Sequence, residues 1–336
     1  MERNAKIGIA AVVLAGLCVA VYYQQKKDAA MGTTAAKADL PELKVGEDED
    51  KITITNGSKG EIVLEKKGDK WELTKPVSAV ANQTNVKSLV DNMKDLKVVD
   101  QVVGAKPEDY DLQTDKAVHV VAMKGADKKL DARFGKSGGL GDAFVLEGNP
   151  NIFLVKGYSS WMYARESKDW RDKEMFKLDD AQIASMEVDG PHGKFVFTKG
   201  DKDGGANDWA GVHDKKPIPS LDGSKVSNAV GSFKNLSAED FGDGKSPAET
   251  GLDAPEATVI IKMKDGATHT LKIGKPADKA HYAQKDGDPV IYTIGAFPYE
   301  WASGEMSKYQ NIAADAGAPD AAKPAAPGAG KDAGKK

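Results

Sequence analysis

Cysteine is almost absent: Cys18 is the only one in 336 residues. That excludes an intramolecular disulfide framework and any zinc site built on several thiolates. No excess of basic charge exists either, since 47 Lys+Arg face 51 Asp+Glu for a formal net charge of −4. With both signs interspersed along the chain, no nucleic-acid footprint is expected. Aromatic residues are scarce at 7%, beside 29% charged residues, which gives a well-solvated surface. No G-x-S-x-G nucleophile elbow occurs. The five histidines (His119, His192, His213, His269 and His281) include no i,i+4 pair of the metalloprotease kind and none beside a candidate nucleophile. What remains is 40% hydrophobic residues, enough for real cores, over a length that suggests about two domains.

One long apolar run opens the chain. Residues 7–23, IGIAAVVLAGLCVAVYY, carry no charge over seventeen positions. As a helix this run is ~25 Å long at about 1.5 Å per residue, a little short of a ~30 Å hydrocarbon core. Snorkelling Lys26 and Lys27 extend it, and Tyr22 and Tyr23 sit where interfacial aromatics belong. Residues 1–27 are therefore expected to be an N-terminal membrane anchor. A cleaved secretory signal is the competing reading. The run ends in Tyr-Tyr-Gln-Gln-Lys-Lys, and the nearest Ala-x-Ala, Ala36-Lys37-Ala38, lies well beyond it. Orientation is tied: Arg3 and Lys6 precede the helix, and Lys26 and Lys27 follow it. A short basic N-terminal tail favours a cytoplasmic start and a body on the periplasmic or outer side of the cytoplasmic membrane. With Cys18 inside the apolar run, that body is thiol-free and compatible with an oxidising compartment.

Residues 28–50 are rich in Ala, Lys and acid, ending in Glu47-Asp48-Glu49-Asp50, and read as a flexible linker. Residues 313–336 are almost wholly Ala, Gly, Pro, Lys and Asp and read as a disordered tail. Between them lies an internal repeat. A shift of 140 aligns Val86 with Val226, Val90 with Val230, Lys94 with Lys234 and Leu96 with Leu236. It also pairs Asp100 with Asp240, Gly104 with Gly244, Pro107 with Pro247 and Leu112 with Leu252. Ala117/Ala257, Met123/Met263 and Lys124/Lys264 complete eleven identities without a gap over 84–124. With short slips the match continues through Phe134-Gly135-Lys136 against Ile273-Gly274-Lys275. Trp71 and Pro76 correspond loosely to Trp209 and Pro217. A period this long means duplicated domains, at 51–176 and 185–310.

Each copy reads as short strands, one amphipathic helix and more strands. In the first, strands at 52–55, 61–65 and 70–74 are separated by Asn56-Gly57 and Gly68-Asp69 turns. Val86, Leu89, Val90, Met93 and Leu96 then line one helical face, repeated by Val226, Ala229, Val230, Phe233 and Leu236. Tight turns favour antiparallel pairing over βαβ crossovers. The expected fold is α+β: two tandem units, each a mostly antiparallel sheet with a packed helix, after the N-terminal transmembrane helix.

Chemistry-bearing motifs are weak. Gly135-Lys136-Ser137 imitates the end of a P-loop, but Leu130 stands where that loop needs glycine, so a hairpin turn is expected. Asp201 to Asp208 resembles a calcium loop, yet Gly205, Ala206 and Val212 each occupy a position that fails the EF-hand pattern. No catalytic, cofactor-binding or metal-ligating residue is assigned. Tyr158, Trp161 and Tyr163, echoed by Phe297, Tyr299 and Trp301, are the candidate partner-contact aromatics.

Several of these features recur in one family. In order come the Trp71 to Pro76 element, the helix at 86–96, then Tyr110-Asp111-Leu112 or Thr250-Gly251-Leu252-Asp253-Ala254-Pro255. Ile273-Gly274 ends a strand, and Trp170-Arg171-Asp172-Lys173 closes the first copy. This pattern resembles bacterial domain-of-unknown-function family 4340 over roughly residues 60–310. The first copy departs by having Asp111 where Gly is usual. The second has Glu305-Met306-Ser307-Lys308 in place of Arg-Asp-Lys. The resemblance implies an anchored, exported protein of the kind associated with ABC-transporter or gliding-motility auxiliary components. The resulting expectation is a non-enzymatic envelope protein, an accessory or scaffold subunit of a complex such as an ABC-type transporter. A cell-wall glycan or envelope ligand-binding module is the alternative, and a hydrolase ranks below both.

Overall fold

The computed structural model describes residues 40–138, 140–200 and 208–311. The anchor at 7–23, the first part of the linker and the tail at 313–336 lie outside the described residues. Among those described, no helix is long and apolar enough to cross a membrane. The chain divides into two compact units between Asp172 and Lys173.

The first unit contains β1 (Lys51–Asn56), β2 (Gly60–Lys67), β3 (Lys70–Lys75), β4 (Ala79–Val80), α1 (Gln83–Lys94) and β5 (Lys97–Val102). It continues with β6 (Val118–Lys124), β7 (Asp127–Gly138), β8 (Gly141–Leu146), β9 (Ile152–Lys156), α2 (Ser160–Tyr163) and α3 (Ser167–Trp170). Its described strands form one nine-stranded sheet in the order β4-β3-β2-β1-β6-β7-β8-β9-β5, and the neighbouring pairs are antiparallel.

In the second unit the elements are β10 (Ile183–Gly190), β11 (Gly193–Lys199), β12 (Trp209–His213), β13 (Lys216–Pro217), α4 (Gly223–Lys234) and β14 (Asp240–Phe241). Then come α5 (Pro247–Thr250), β15 (Ala257–Met263), β16 (Thr268–Ala277), β17 (Ala280–Lys285), β18 (Tyr292–Gly295) and α6 (Ala296–Ala302). Their sheet order, β13-β12-β11-β10-β15-β16-β17-β18-β14, repeats the first unit element for element. The duplication is thus a duplication of topology.

Alternation decides which sheet face is buried. Ile52 and Ile54 of β1 are inaccessible, as are Met186 and Val188 of β10, while their strand neighbours are half-exposed or exposed. The single long helix covers that face. In α1 the side chains of Val86, Leu89 and Met93 are fully buried; in α4 Val226, Ala229, Val230 and Phe233 are. Each such large side chain contributes about 1.5–3 kcal/mol. Asn82 and Asp222 cap the two helices by accepting from backbone N–H groups two to three residues on.

The ladders correct several sequence expectations. Ile54 pairs with Val120 and Val188 with Val259, so the strand register between copies is 139, not the 140 of the ungapped alignment. A shift of 140 would set buried Val120 against half-exposed Ile260. The β1–β2 connection is not a two-residue Asn-Gly turn: positive φ falls at Gly60. A Cβ on Gly57 would lie 2.3 Å from the Asp115 carbonyl oxygen. Trp71 and Trp209 are closer equivalents than their spacing implied, facing Lys66 and Lys199 at the same ladder position.

The boundaries also move. Residues 40–50, expected within the flexible linker, pack on the first unit, with Val45 buried and Leu40 and Leu43 against its core. Apolar side chains hidden among the acids offset the cost of ordering this arm. The acids are engaged as well: Asp50 accepts from the Gly125 N–H, Asp48 pairs with Lys129, and buried Glu49 accepts from the Gly46 N–H. Met175 and Phe176, placed in the first copy by the repeat, are core residues of the second unit. There residues 175–178 run beside the end of α4 through bonds to the Leu236 and Lys234 carbonyls.

Candidate functional site

The six candidate aromatics do not form two exposed patches. Tyr163 is buried at 1% exposure, and Tyr158 stacks on Phe134 at 4.3 Å, so both belong to the first core. Trp301 is buried in the second, and Tyr309 donates its hydroxyl to the Trp301 carbonyl. Tyr299 stacks on His281 at 3.6 Å and donates to Glu256 at 2.8 Å. Only Trp161 and Phe297, 60% and 58% exposed, face solvent. The reason is periodic: in a short helix pressed on a sheet, one ring of each group turns outward and the rest fill the core. Trp161 carries the Arg165 guanidinium over its ring at 4.9 Å, a cation–π contact that holds the indole in place.

Gly135-Lys136-Ser137 is not a hairpin turn. It is a β-bulge inside the long strand β7, and Gly274-Lys275-Pro276 forms the same bulge in β16. Both glycines lie under a neighbouring turn. A Cβ at Gly135 would meet the Tyr110 carbonyl oxygen at 2.0 Å, and one at Gly274 the Thr250 oxygen at 2.2 Å. Each turn starts with proline, Pro107 or Pro247, and ends in a left-handed residue, Asp111 at φ 54° or Gly251 at φ 74°. Aspartate tolerates that conformation better than most residues, which explains how the first copy does without the usual glycine. The Gly-Leu and Ile-Gly motifs are therefore two halves of one packing contact.

The closing motif has a similar basis. Trp170 is fully buried, Arg171 bridges to Ala81, and the Asp172 N–H donates to the Val80 carbonyl. In the second unit Tyr309, Gln310 and Asn311 take these places: Asp222 donates to the Tyr309 carbonyl, Leu221 bridges to Gln310, and Asn311 donates to Ser220. The equivalent of Arg-Asp-Lys is thus not the Glu305 to Lys308 stretch. The two units share the backbone bonds of this closure, and in the second the Gln310 side chain adds a bond to the Pro219 carbonyl at 2.8 Å.

A family model described as Domain of unknown function (DUF4340) matches residues 71–255, more than half of the chain. The chain belongs to this family. No curated protein and no solved structure matches it significantly. Within this DUF4340 protein the match runs from Trp71 in β3 to Pro255 before β15, across both copies.

Charged side chains on the open sheet faces form cross-strand ladders. His119 bonds Asp131 at 2.8 Å, and Lys128 reaches the other Asp131 oxygen at 2.6 Å. Burial pushes the Asp131 carboxyl up, but these two partners outweigh it and hold it below the usual range. Glu187 pairs with both Lys194 and Lys262, which likewise lowers its carboxyl. Asp180 joins Lys234 and Lys199, tying the end of α4 to β11. Among the described residues no group of three or more His, Cys, Asp or Glu could hold a metal ion. Residues 201–207 of the calcium-loop-like segment lie outside the described residues, between β11 and β12.

One site escaped the sequence reading. A cavity of about 500 Å³ in the second unit lies between residues 175–178, the start of β16 and the turn after β17. His269, Lys285 and Asp288 line it.

Proposed function

We propose that this DUF4340 protein is a non-catalytic, membrane-tethered interaction protein, an accessory or scaffold subunit of an envelope complex such as an ABC-type transporter. Residues 7–23 are its anchor, and the two sheet units are its body on the outer side of the cytoplasmic membrane. The observation that carries this reading is the paired exposure of one large aromatic per unit. Trp161 and Phe297 each project from the helical segment after the equivalent strand, β9 or β18. Exposed aromatic anchors are the side chains that dominate interface energetics, each worth about 2 kcal/mol or more at a hot spot. Two modest contacts on one chain combine through effective concentration, so the pair supports far tighter capture than either alone.

The test is crosslinking of tagged full-length protein in native membranes, followed by identification of what co-purifies. Transporter membrane or ATPase subunits are expected, with recovery lowered by Trp161→Ala or Phe297→Ala and abolished by the double variant. Recovery of no partner while the protein stays in the membrane fraction, or recovery indifferent to both substitutions, refutes the proposal.

A further inference from the structure

The two ladders allow the units to be compared position by position. Ala122 pairs with Leu130 in the first sheet, and Ile261 with His269 in the second. Ala132 pairs with Leu146, and Leu271 with Lys285. Phe144 pairs with Phe153, and Ala283 with Tyr292. In the turn between, Asn149 accepts from the Asn151 N–H at 3.0 Å and Asp288 from the Val290 N–H at 2.9 Å. Leu130, Leu146, Asn149 and Phe153 of the first unit thus become His269, Lys285, Asp288 and Tyr292 in the second. Leu130 and Phe153 are buried and Leu146 packs against the same core, so the change puts polar groups at core-facing positions.

Such replacements work against stability unless every group is partnered. Three of the four partner one another. Tyr292 donates its hydroxyl to Asp288 at 2.8 Å, and the Lys285 ammonium lies 3.2 Å from the same carboxylate oxygen. His269 meets the Phe176 ring edge-on at 5.8 Å and lines the cavity beside these groups. The network opens on the 500 Å³ cavity, a volume suited to a small molecule. Thr268 and Thr270 stand on one side, and Phe176 and Pro289 supply apolar surface. Formal charge cancels across the lining, Lys177 and Lys285 against Asp286 and Asp288, so no net positive field draws an anion.

We infer that this cavity of the second unit binds a neutral, polyhydroxylated ligand of mono- or disaccharide size. A sugar ring offers an apolar C–H face and a rim of hydroxyls that both donate and accept. The cavity offers the complement: apolar surface, a lysine oriented by Asp288, an imidazole and two threonine hydroxyls. This inference does not rest on the partner contact at Trp161 and Phe297.

The test is saturation-transfer NMR on the full-length chain in a detergent without a sugar headgroup. Probes are glucose, galactose, N-acetylglucosamine and the β-1,4-linked disaccharides of glucose and N-acetylglucosamine, with inorganic phosphate as the anionic control. At least one saccharide is expected to bind with a millimolar Kd. The His269→Leu/Lys285→Leu double variant, which installs the first unit's side chains, is expected to weaken it at least tenfold. Its melting temperature is expected to hold or rise, because the first unit packs leucines at these positions. No saccharide contact, contact that survives the double variant, or phosphate binding without saccharide binding would overturn the assignment. A fall in melting temperature would overturn it too, by showing that the polar pair serves the fold.

Discussion

Replacing Gly274 by alanine isolates the contact between the two shared motifs. The added Cβ would lie 2.2 Å from the Thr250 carbonyl oxygen, against 3.4 Å or more for ordinary contact, so strand and turn must separate by about 1.2 Å. The turn cannot yield cheaply. Thr250 and Leu252 are buried, Leu252 donates to the Pro247 carbonyl at 2.8 Å, and the Thr250 hydroxyl donates to Ser246 at 2.9 Å. Overpacking of this kind costs about 1–3 kcal/mol, and weakening two buried hydrogen bonds adds about 1 kcal/mol each. A loss of about 3–5 kcal/mol lowers the melting temperature of a domain this size by roughly 10–20 °C. Scanning calorimetry resolves the units as separate transitions if they unfold independently. Gly274→Ala should then shift only the second unit, and Gly135→Ala only the first. Gly231→Ala is the control: it sits in α4 with nothing within 4 Å of a new Cβ, so it should stabilise by about 0.8–1 kcal/mol through helix propensity. If Gly274→Ala leaves both transitions in place, or if Gly231→Ala costs as much, the contact is not what requires glycine there.

Other perturbations separate surface from core. Trp161→Ala and Phe297→Ala should change stability by no more than about 0.5 kcal/mol, whereas Trp301→Ala, at 7% exposure, should cost about 3–5 kcal/mol by chemical denaturation. Val45→Ala should destabilise the first unit alone by about 1.6 kcal/mol, two methylene equivalents of burial, which marks residues 40–50 as part of its fold. Asp180 and Glu187, lowered by their lysine partners, and Asp288, lowered where Val290, Tyr292 and Lys285 outweigh burial, all have depressed carboxyls. Depressed carboxyls add stability above their unfolded values and lose it as pH falls through the folded ones. The second unit's melting temperature should therefore stay flat from pH 7 to about 5 and fall below about pH 4. Glu187→Gln should shallow that fall.

Much of the fold was legible because repetition doubles every signal. Val86 and Val226 mark the same helical face, and Pro107 and Pro247 the same turn, so each pattern was read twice. Helix phase survives small errors, which is why Val86, Leu89 and Met93 of α1 and Val226, Ala229, Val230 and Phe233 of α4 were found, whereas Leu96 and Leu236, read onto the same faces, lie past the helix ends. The acidic arm was not legible, because Glu47 to Asp50 dominate its composition while Leu40, Leu43 and Val45 carry its packing. The closure by Tyr309, Gln310 and Asn311 was hidden for another reason: the bonds it shares with the first unit are backbone bonds, which can form without an Arg-Asp-Lys sequence.

Strands punish a one-residue error more than helices do, because a slip of one exchanges the two faces. The ungapped shift of 140 carried the first copy correctly as far as Leu112 and then ran one residue out of phase through β6. In phase, Phe134 matches Ile273, and counting back four residues along both strands sets Leu130 opposite His269. The polar pocket was therefore written in the sequence as a departure from its own repeat, visible only once the deletion before β6 is allowed. Trp161 and Phe297 follow a different logic. Nothing in 158–163 or 297–301 distinguishes the ring that faces water from those that fill the core, since all are aromatic; only the sheet beneath them decides. What the two copies share therefore identifies the scaffold, Gly135 with Gly274 and Trp71 with Trp209. Function is best sought where the copies part, at positions the scaffold shows could have been leucine.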